Sequence, residues 1–277
     1  MDIKLIAMDL DGTALQSDRK SFSPRLTAAL EKAYAKGVAI APVTGRQYGL
    51  LPPPLKAHPV WEDLVVTCNG GQVRKLATGG MVHGLEVSSD VLAVLLDISE
   101  RFDIPVEFSV DSTLYLTERS MQLQLPVENL QFHPDVILAQ HGVIVDGLSA
   151  AMQNVEKVNY PYVPEHLRDA VMEKLGEISV SAVWASHSSI EITHPDATKG
   201  NGIRALCRIL DIPMESVMAL GDSGNDVTML RQAGLGVAMG NAPDFVKAAA
   251  DAVTQTYNHD GAAAAIEQFV LLENETY

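Results

Sequence analysis

The chain has 277 residues, enough for one large domain or two smaller ones with a core that needs no staples. Its 20 Lys and Arg against 35 Asp and Glu give a net charge of −15. With no basic run, that balance argues against nucleic acid or an anionic membrane as a partner. Two distant cysteines, Cys68 and Cys207, argue against a disulfide framework, and no apolar stretch approaches the roughly 18 residues of a membrane span.

The first 70 residues read as α/β. Residues 4–8 form a short apolar run ending at a carboxylate, the pattern of a buried strand. Ser23 is placed as an N-cap with Pro24 at the first helical position, and Gly37 closes that helix. Residues 38–43 and 64–67 are two further buried strands. The first delivers Thr44-Gly45-Arg46 at its end and the second Cys68-Asn69-Gly70-Gly71. Between them Pro52-Pro53-Pro54 reads as loop.

From about residue 83 to 194 the pattern changes. Residues 106–110 and 113–117 alternate and are joined by a turn at Asp111-Ser112, which predicts antiparallel strands. Helices are predicted near 89–101 and 164–178, and a hairpin over 180–185 and 189–193. After Pro195 the α/β rhythm returns. A helix over 199–210 is followed by a strand at 217–220, a helix at 226–233, a strand at 235–239 and a helix from Pro243. The expected architecture is therefore a Rossmann-like, doubly wound parallel sheet core (1–82 and 195–277) with an inserted α+β domain (83–194).

Open parallel sheets bind ligands beyond the carboxyl edges of their strands. Here those edges carry Asp9 and Asp11, Thr44, Asn69, and Asp222. A surface Asp-Gly turn is common after strands. At roughly 5% usage per residue type, however, Asp-x-Asp-Gly-Thr arises by chance only about 0.002 times in this length. Gly221-Asp222-Ser223-Gly224-Asn225-Asp226 alone could be a helix-capping turn. Beside the first motif it would crowd four carboxylates, each close pair repelling by roughly 4 kcal/mol. A bound cation relieves that repulsion, and oxygen ligands without nearby His or Cys suit Mg²⁺ rather than Zn²⁺. Lys199-Gly200 gains weight only from this company, since a lone lysine is most often a solvated charge. Gly234-x-Gly236-x-x-x-Gly240 has the wrong spacing and placement for a dinucleotide loop, and His83, His187 and His194 read as ordinary surface or hinge residues.

Taken together, Asp9-Leu10-Asp11-Gly12-Thr13, Thr44-Gly45-Arg46, Lys199-Gly200 and Gly221 to Asp226 resemble the four ordered motifs of the haloacid dehalogenase superfamily, most closely its Cof-type phosphatases. Asn69-Gly70 also fits that branch, whereas Ala14 departs from its usual leucine. Without a membrane span or a signal-peptide pattern at Met1-Asp2-Ile3-Lys4-Leu5, the chain is expected to be cytoplasmic. The resemblance implies a Mg²⁺-dependent hydrolase that removes phosphate from a small phosphorylated metabolite through an aspartyl phosphate, the insert acting as a cap that sets specificity. It implies Asp9 as nucleophile and Asp11 as general acid and base, with a pKa raised by the neighbouring carboxylates. Asp9, Asp222 and the main-chain carbonyl of Asp11 would hold the metal, with Asp226 as a further or supporting ligand. Thr44, Gly45, Arg46, Asn69, Lys199 and Asn225 would bind the substrate's phosphoryl group, although Arg46 could instead only cover the sheet end. A phosphomutase using the same aspartyl phosphate is the alternative, and a catalytically silent binding protein would have lost a motif residue.

Overall fold

The computed structural model describes residues 2–53, 55, 60–124 and 142–272. Two compact units emerge: Met1–His83 with Thr198–Tyr277, and Gly84–Ala197. Among the described residues no helix is long and apolar enough to cross a membrane.

In the first unit, strands β1 (Leu5–Met8), β2 (Ala39–Pro42), β12 (Val217–Gly221), β13 (Leu235–Ala238) and β14 (Ala252–Val253) form a parallel sheet in the order β14-β13-β12-β1-β2. The strands read as unbroken apolar runs because the sheet is covered on both faces. On one face Ile6, Met8, Ile40, Met218 and Leu220 join a core with helices α1 (Pro24–Ala35) and α8 (Gly261–Ile266). On the other, Leu5, Ala7, Ala41, Val217 and Ala219 meet helices α5 (Lys199–Leu210), α6 (Val227–Gln232) and the short α7 (Asp244–Lys247). The α1 start is as read: Ser23 Oγ accepts the Leu26 N–H at 3.0 Å, with Pro24 first in the helix.

β3 (Val65–Thr67) is where expectation and structure part. It is not in the main sheet but pairs antiparallel with β4 (Gln72–Arg74), which adjoins β5 (Met81–Gly84). A single parallel bridge, Val43 to Val66, keeps its end beside β2, so Cys68 and Asn69 still arrive at the same sheet edge. The proline stretch also differs, since residues 53 and 55 are helical, Pro53 being compatible with a helix start. Pro54 lies outside the described residues.

The second unit is a six-stranded mixed sheet, β10-β11-β9-β6-β7-β8. Its strands are β6 (Glu107–Val110), β7 (Thr113–Thr117), β8 (Gly142–Val145), β9 (Val155–Tyr160), β10 (Ser181–Trp184) and β11 (Ile190–Thr193). Helices α2 (Ser89–Phe102) and α4 (Arg168–Gly176) pack on the face carrying Phe108, Val158 and Tyr160, and a short helix α3 (Glu118–Gln124) follows β7. The predicted Asp111-Ser112 turn joins β6 to β7 with both residues at positive φ, the twist that a two-residue hairpin loop demands.

Glycines bring elements of the first unit into contact distances that no side chain permits. A Cβ on Gly234 would stand 2.0 Å from the Glu215 carbonyl oxygen, and one on Gly236 2.2 Å from that of Leu230, so these glycines serve packing rather than a phosphate loop. Gly202, in the first turn of α5, lies against β3 and its turn, where a Cβ would approach Val66 to 2.5 Å and the Gly70 Cα to 2.7 Å. This contact sets the position of Lys199. Gly202→Val should therefore lower stability by about 1–3 kcal/mol through overpacking. A denaturant midpoint that moves by less than about 0.5 kcal/mol equivalent would contradict this reading of the contact.

Candidate active site

Beginning at β1, the chain reverses direction across the sheet: β2 lies on one side and β12 on the other. Such a reversal, beyond the carboxyl ends of β1 and β12, is where open α/β sheets bind ligands. Asp9 follows the last residue of β1 and Asp222 the last residue of β12, so the two carboxylates meet at that edge. The turn after Asp9 is wide, closed by Leu15 N–H donating to the Leu10 carbonyl at 2.8 Å. Gly12 adopts φ +77° inside it, and a Cβ there would lie 2.4 Å from Asp222 Oδ2. Only glycine satisfies both the backbone and the space.

Lys199, the first residue of α5, reaches into this edge. It is only 1% exposed, and its Nζ donates to Asp9 Oδ1 at 2.5 Å and to Asp226 Oδ1 at 2.6 Å. The other oxygen of Asp226 accepts the backbone N–H groups of Asp222 and Ser223, each at 2.8 Å. Asp226 thereby ties the lysine to the turn that carries Asp222. Asp222 receives hydrogen bonds from Thr13 Oγ1 at 3.2 Å and Asn241 Nδ2 at 3.1 Å. Asn241 also donates to the Gly12 carbonyl at 3.0 Å, joining the two motif turns. Thr13, Asn241 and the Ser223 hydroxyl were not singled out by sequence reasoning. Thr13 lay inside a recognised motif, whereas Asn241, after β13, gave no signal.

Among the described residues Asp9, Asp222 and Asp226 offer one oxygen each within 4.8 Å of one another. Burial pushes the Asp9 carboxyl up to about 8; Lys199 opposes this, and Asp226 and Asp222 add to it. Burial, then Asp226, pushes Asp222 up to about 6. Burial works against the Lys199 ammonium, but Asp226 and Asp9 outweigh it and hold it charged well above its ordinary range.

Asp11 stands apart from this cluster. Its carboxylate is gripped by Arg46, Nε to Oδ2 at 2.7 Å and Nη2 to Oδ1 at 2.6 Å, and Arg19 Nε adds a contact at 3.0 Å. Burial pushes its carboxyl up, but Arg46 and then Arg19 outweigh burial and hold it below the ordinary carboxylate range. The expected upward shift from neighbouring carboxylates is thus reversed, because two guanidiniums hydrogen-bond directly to Asp11. Any part of Asp11 in holding a metal falls to its main-chain carbonyl, since its side chain is committed to Arg46. Arg46 itself is fixed further by donating to the carbonyls of Leu50 and Arg19.

Thr44 is buried, its hydroxyl accepting the Arg46 N–H at 3.1 Å. Asn69 Oδ1 accepts from Asn225 Nδ2 at 2.8 Å, and a Cβ on Gly45 would stand 2.8 Å from that same oxygen. The structure thus gathers Asp9, Asp222, Asp226 and Lys199 into one contact group, Thr44, Arg46 and Asp11 into a second, and Gly45, Asn69 and Asn225 into a third. His83 and His187 are exposed on the surface.

The raised carboxyls carry a sign for stability. In the folded chain Asp9 and Asp222 keep protons to about pH 8 and about pH 6, whereas their ordinary value is 3.8. The folded state therefore binds more protons than the unfolded state across that window, and stability falls as pH rises through it. In excess chelator, melting temperature should drop between about pH 5 and pH 8.5, and Asp9→Asn should flatten the drop. A chelated wild-type protein that becomes steadily more stable over that range would contradict the assignment.

A family model described as haloacid dehalogenase-like hydrolase matches residues 6–266. The protein YxeH of Bacillus subtilis (strain 168) is 33% identical over 281 residues, spanning 97% of this chain and 98% of its own. The 5-amino-6-(5-phospho-D-ribitylamino)uracil phosphatase YbjI of Escherichia coli (strain K12) is 30% identical over 272 residues, spanning 97% and 96%. The solved structure of a sugar phosphatase of HAD subclass IIB superposes with a TM-score of 0.80 at 25% identity, covering 97% of this chain and 100% of that one. With its motifs at one sheet edge and its whole length matched, the chain belongs to the haloacid dehalogenase-like hydrolases, among their Cof-type phosphatases.

Proposed function

We propose that this chain is a Mg²⁺-dependent phosphomonoesterase that passes the phosphoryl group of a small metabolite through Asp9 to water. The observation that carries the reading is the buried Asp9 carboxylate at the switch point. Its Oδ1 is held by Lys199, and its Oδ2 has no hydrogen bond from any described residue. An anchored carboxylate with one uncommitted oxygen is the form a nucleophile takes. Asp9 Oδ2 attacks phosphorus and the bond to the leaving oxygen breaks, that oxygen taking a proton from Asp11. Water then attacks the aspartyl phosphate, giving its proton to Asp11 and releasing Asp9 and inorganic phosphate. Arg46 keeps Asp11 ionised, which suits the base half of the cycle, so the acid half requires this grip to loosen.

The donor set fits Mg²⁺. It consists of hard carboxylate oxygens, with no thiolate or imidazole in the cluster. Asp9 and Asp222 would hold the ion by their side chains and Asp11 by its main-chain carbonyl. Asp226, with both oxygens already engaged, would stand behind them. When bound, the ion supplies positive charge to the carboxylates and to the phosphoryl oxygens. Lys199, Arg46, the hydroxyl of Thr44, the Gly45 backbone and Asn225 would form the remaining wall of the phosphate pocket, with Asn69 beside Asn225, since phosphoryl transfer is mostly positioning and charge stabilisation. The net charge of −15 disfavours anionic substrates at long range, so these local groups must supply the attraction.

The substrate class is a small phosphorylated metabolite, a sugar, nucleotide or cofactor phosphate. Three relatives are named for 5-amino-6-(5-phospho-D-ribitylamino)uracil, which makes that compound an early member of a substrate panel. With Mg²⁺ and such a panel, or a small aryl phosphate, wild-type chain should release inorganic phosphate, and excess EDTA should silence it. Asp9→Asn should lower kcat by at least about a thousandfold while leaving the fold intact. Retention of a tenth of wild-type kcat, or full activity in EDTA, would overturn the reading.

A further inference from the structure

The turn after β3 is held in an unfavourable conformation. Cys68, Asn69 and Gly70 all have positive φ, at 52°, 56° and 97°. Residues with a Cβ seldom adopt this region, and two in succession are rarer still. The surroundings enforce it. Cys68 N–H donates to the Arg46 carbonyl at 3.1 Å and Asn69 N–H to the Thr44 carbonyl at 3.2 Å, pinning the turn to the segment after β2. Gly70 lies against the cap of α5, where a Cβ would stand 1.9 Å from the Thr198 carbonyl oxygen. The turn is therefore clamped between the Thr44 segment and the helix that carries Lys199.

What this conformation achieves is the placement of one amide. Asn69 is only 4% exposed, and its Oδ1 points at Asn225 Nδ2, 2.8 Å away. Asn225 Oδ1 in turn accepts from the Ser223 hydroxyl at 2.6 Å. Both ends of the Asn225 amide are thus fixed, its plane with them. One Nδ2 hydrogen is taken by Asn69, and the other has no acceptor among the described residues. Asn69 turns its acceptor oxygen onto Asn225, and the remaining Asn225 N–H is a donor suited to a phosphoryl oxygen. Donors aimed in advance at developing charge are worth far more than free ones.

We infer that Asn69 is a positioning residue that acts through Asn225 and not on the substrate. The strained Cys68–Gly70 turn serves to hold the Asn225 amide at the phosphoryl group. This rests on the phosphatase reading above and refines the role of Asn69 within it. The strain persists because the neighbouring backbone over-determines it, as expected of local strain at functional sites.

A double-mutant cycle with a small aryl phosphate and Mg²⁺ tests the inference. Asn69→Gly is the informative single variant, because glycine takes a φ of +56° freely and only the amide is removed. Asn225→Ala removes the donor and should lower kcat/KM by roughly 10- to 1000-fold. Asn69→Gly should lower it by roughly 3- to 30-fold, moving the same constant, kcat or KM, as Asn225→Ala. The double variant should match Asn225→Ala within about twofold. Should glycine loosen the turn, as a fallen melting temperature would show, Asn69→Ser gives the same cycle. A loosened fold would cost the same factor in both backgrounds, whereas an indirect role vanishes once Asn225 is alanine. Losses that multiply would overturn the inference. Wild-type activity in Asn225→Ala would overturn it too, while the Asp9→Asn result would still judge the phosphatase reading independently.

Discussion

Three carboxylates and one ammonium are confined at the buried edge of the parallel sheet. With Asp9, Asp222 and Asp226 ionised against Lys199, two negative charges are left over in a region where Asp9, Asp226 and Lys199 are almost fully hidden from water. At an effective dielectric near 20, each like-charged pair about 4 Å apart is worth roughly 4 kcal/mol of repulsion. Much of the local architecture follows from that surplus. Lys199 divides its charge between two carboxylates. Backbone N–H groups are turned onto Asp226, and the Thr13 hydroxyl and Asn241 amide onto Asp222. Gly12 and Gly221 leave room for these carboxylates, since a Cβ at either would strike Asp222 or Asp226. A divalent cation would complete the balance, and the same charge would then face an incoming phosphoryl group.

The second charge system is kept separate. Asp11 lies two residues from Asp9, yet its side chain is paired with Arg46 and Arg19. The division gives neighbouring carboxyls opposite tendencies: Asp9 is pushed toward holding its proton and Asp11 toward losing it. Pairs of titratable groups with environments that push them apart are the usual foundation of acid–base work. In the proposed mechanism a bound cation would favour the ionised form of Asp9, and loosening of the Arg46 contact would favour protonation of Asp11.

Much of this was legible in the sequence, because the parts that matter are local. Apolar runs ending in polar residues gave the strands and their edges. Ser23-Pro24 gave a helix start, and Asp111-Ser112 a hairpin. What the sequence concealed depends on tertiary partners. β9 contains the charged pair Glu156 and Lys157, both nonetheless buried, Lys157 against Glu191 at 2.8 Å and Glu156 against the Ser112 N–H. The Gly/Ala-rich α8 carries no polar stripe to mark a face. β3 pairs with β4 rather than entering the main sheet, a choice made by hydrogen bonding that periodicity does not encode. The pKa direction of Asp11 depends on the fold for the same reason, since only the fold shows that Arg46, 35 residues away, hydrogen-bonds to it.

The central claim is that the buried, lysine-anchored Asp9 carries the phosphoryl group. It is tested most directly by acid-quenching the enzyme during turnover with Mg²⁺ and mapping the peptides. The account predicts a hydroxylamine-labile phosphoryl group on Asp9, absent in Asp9→Asn. Phosphate on any other residue, or turnover with no labelled enzyme when the second half-reaction is slowed by replacing Asp11, would contradict it.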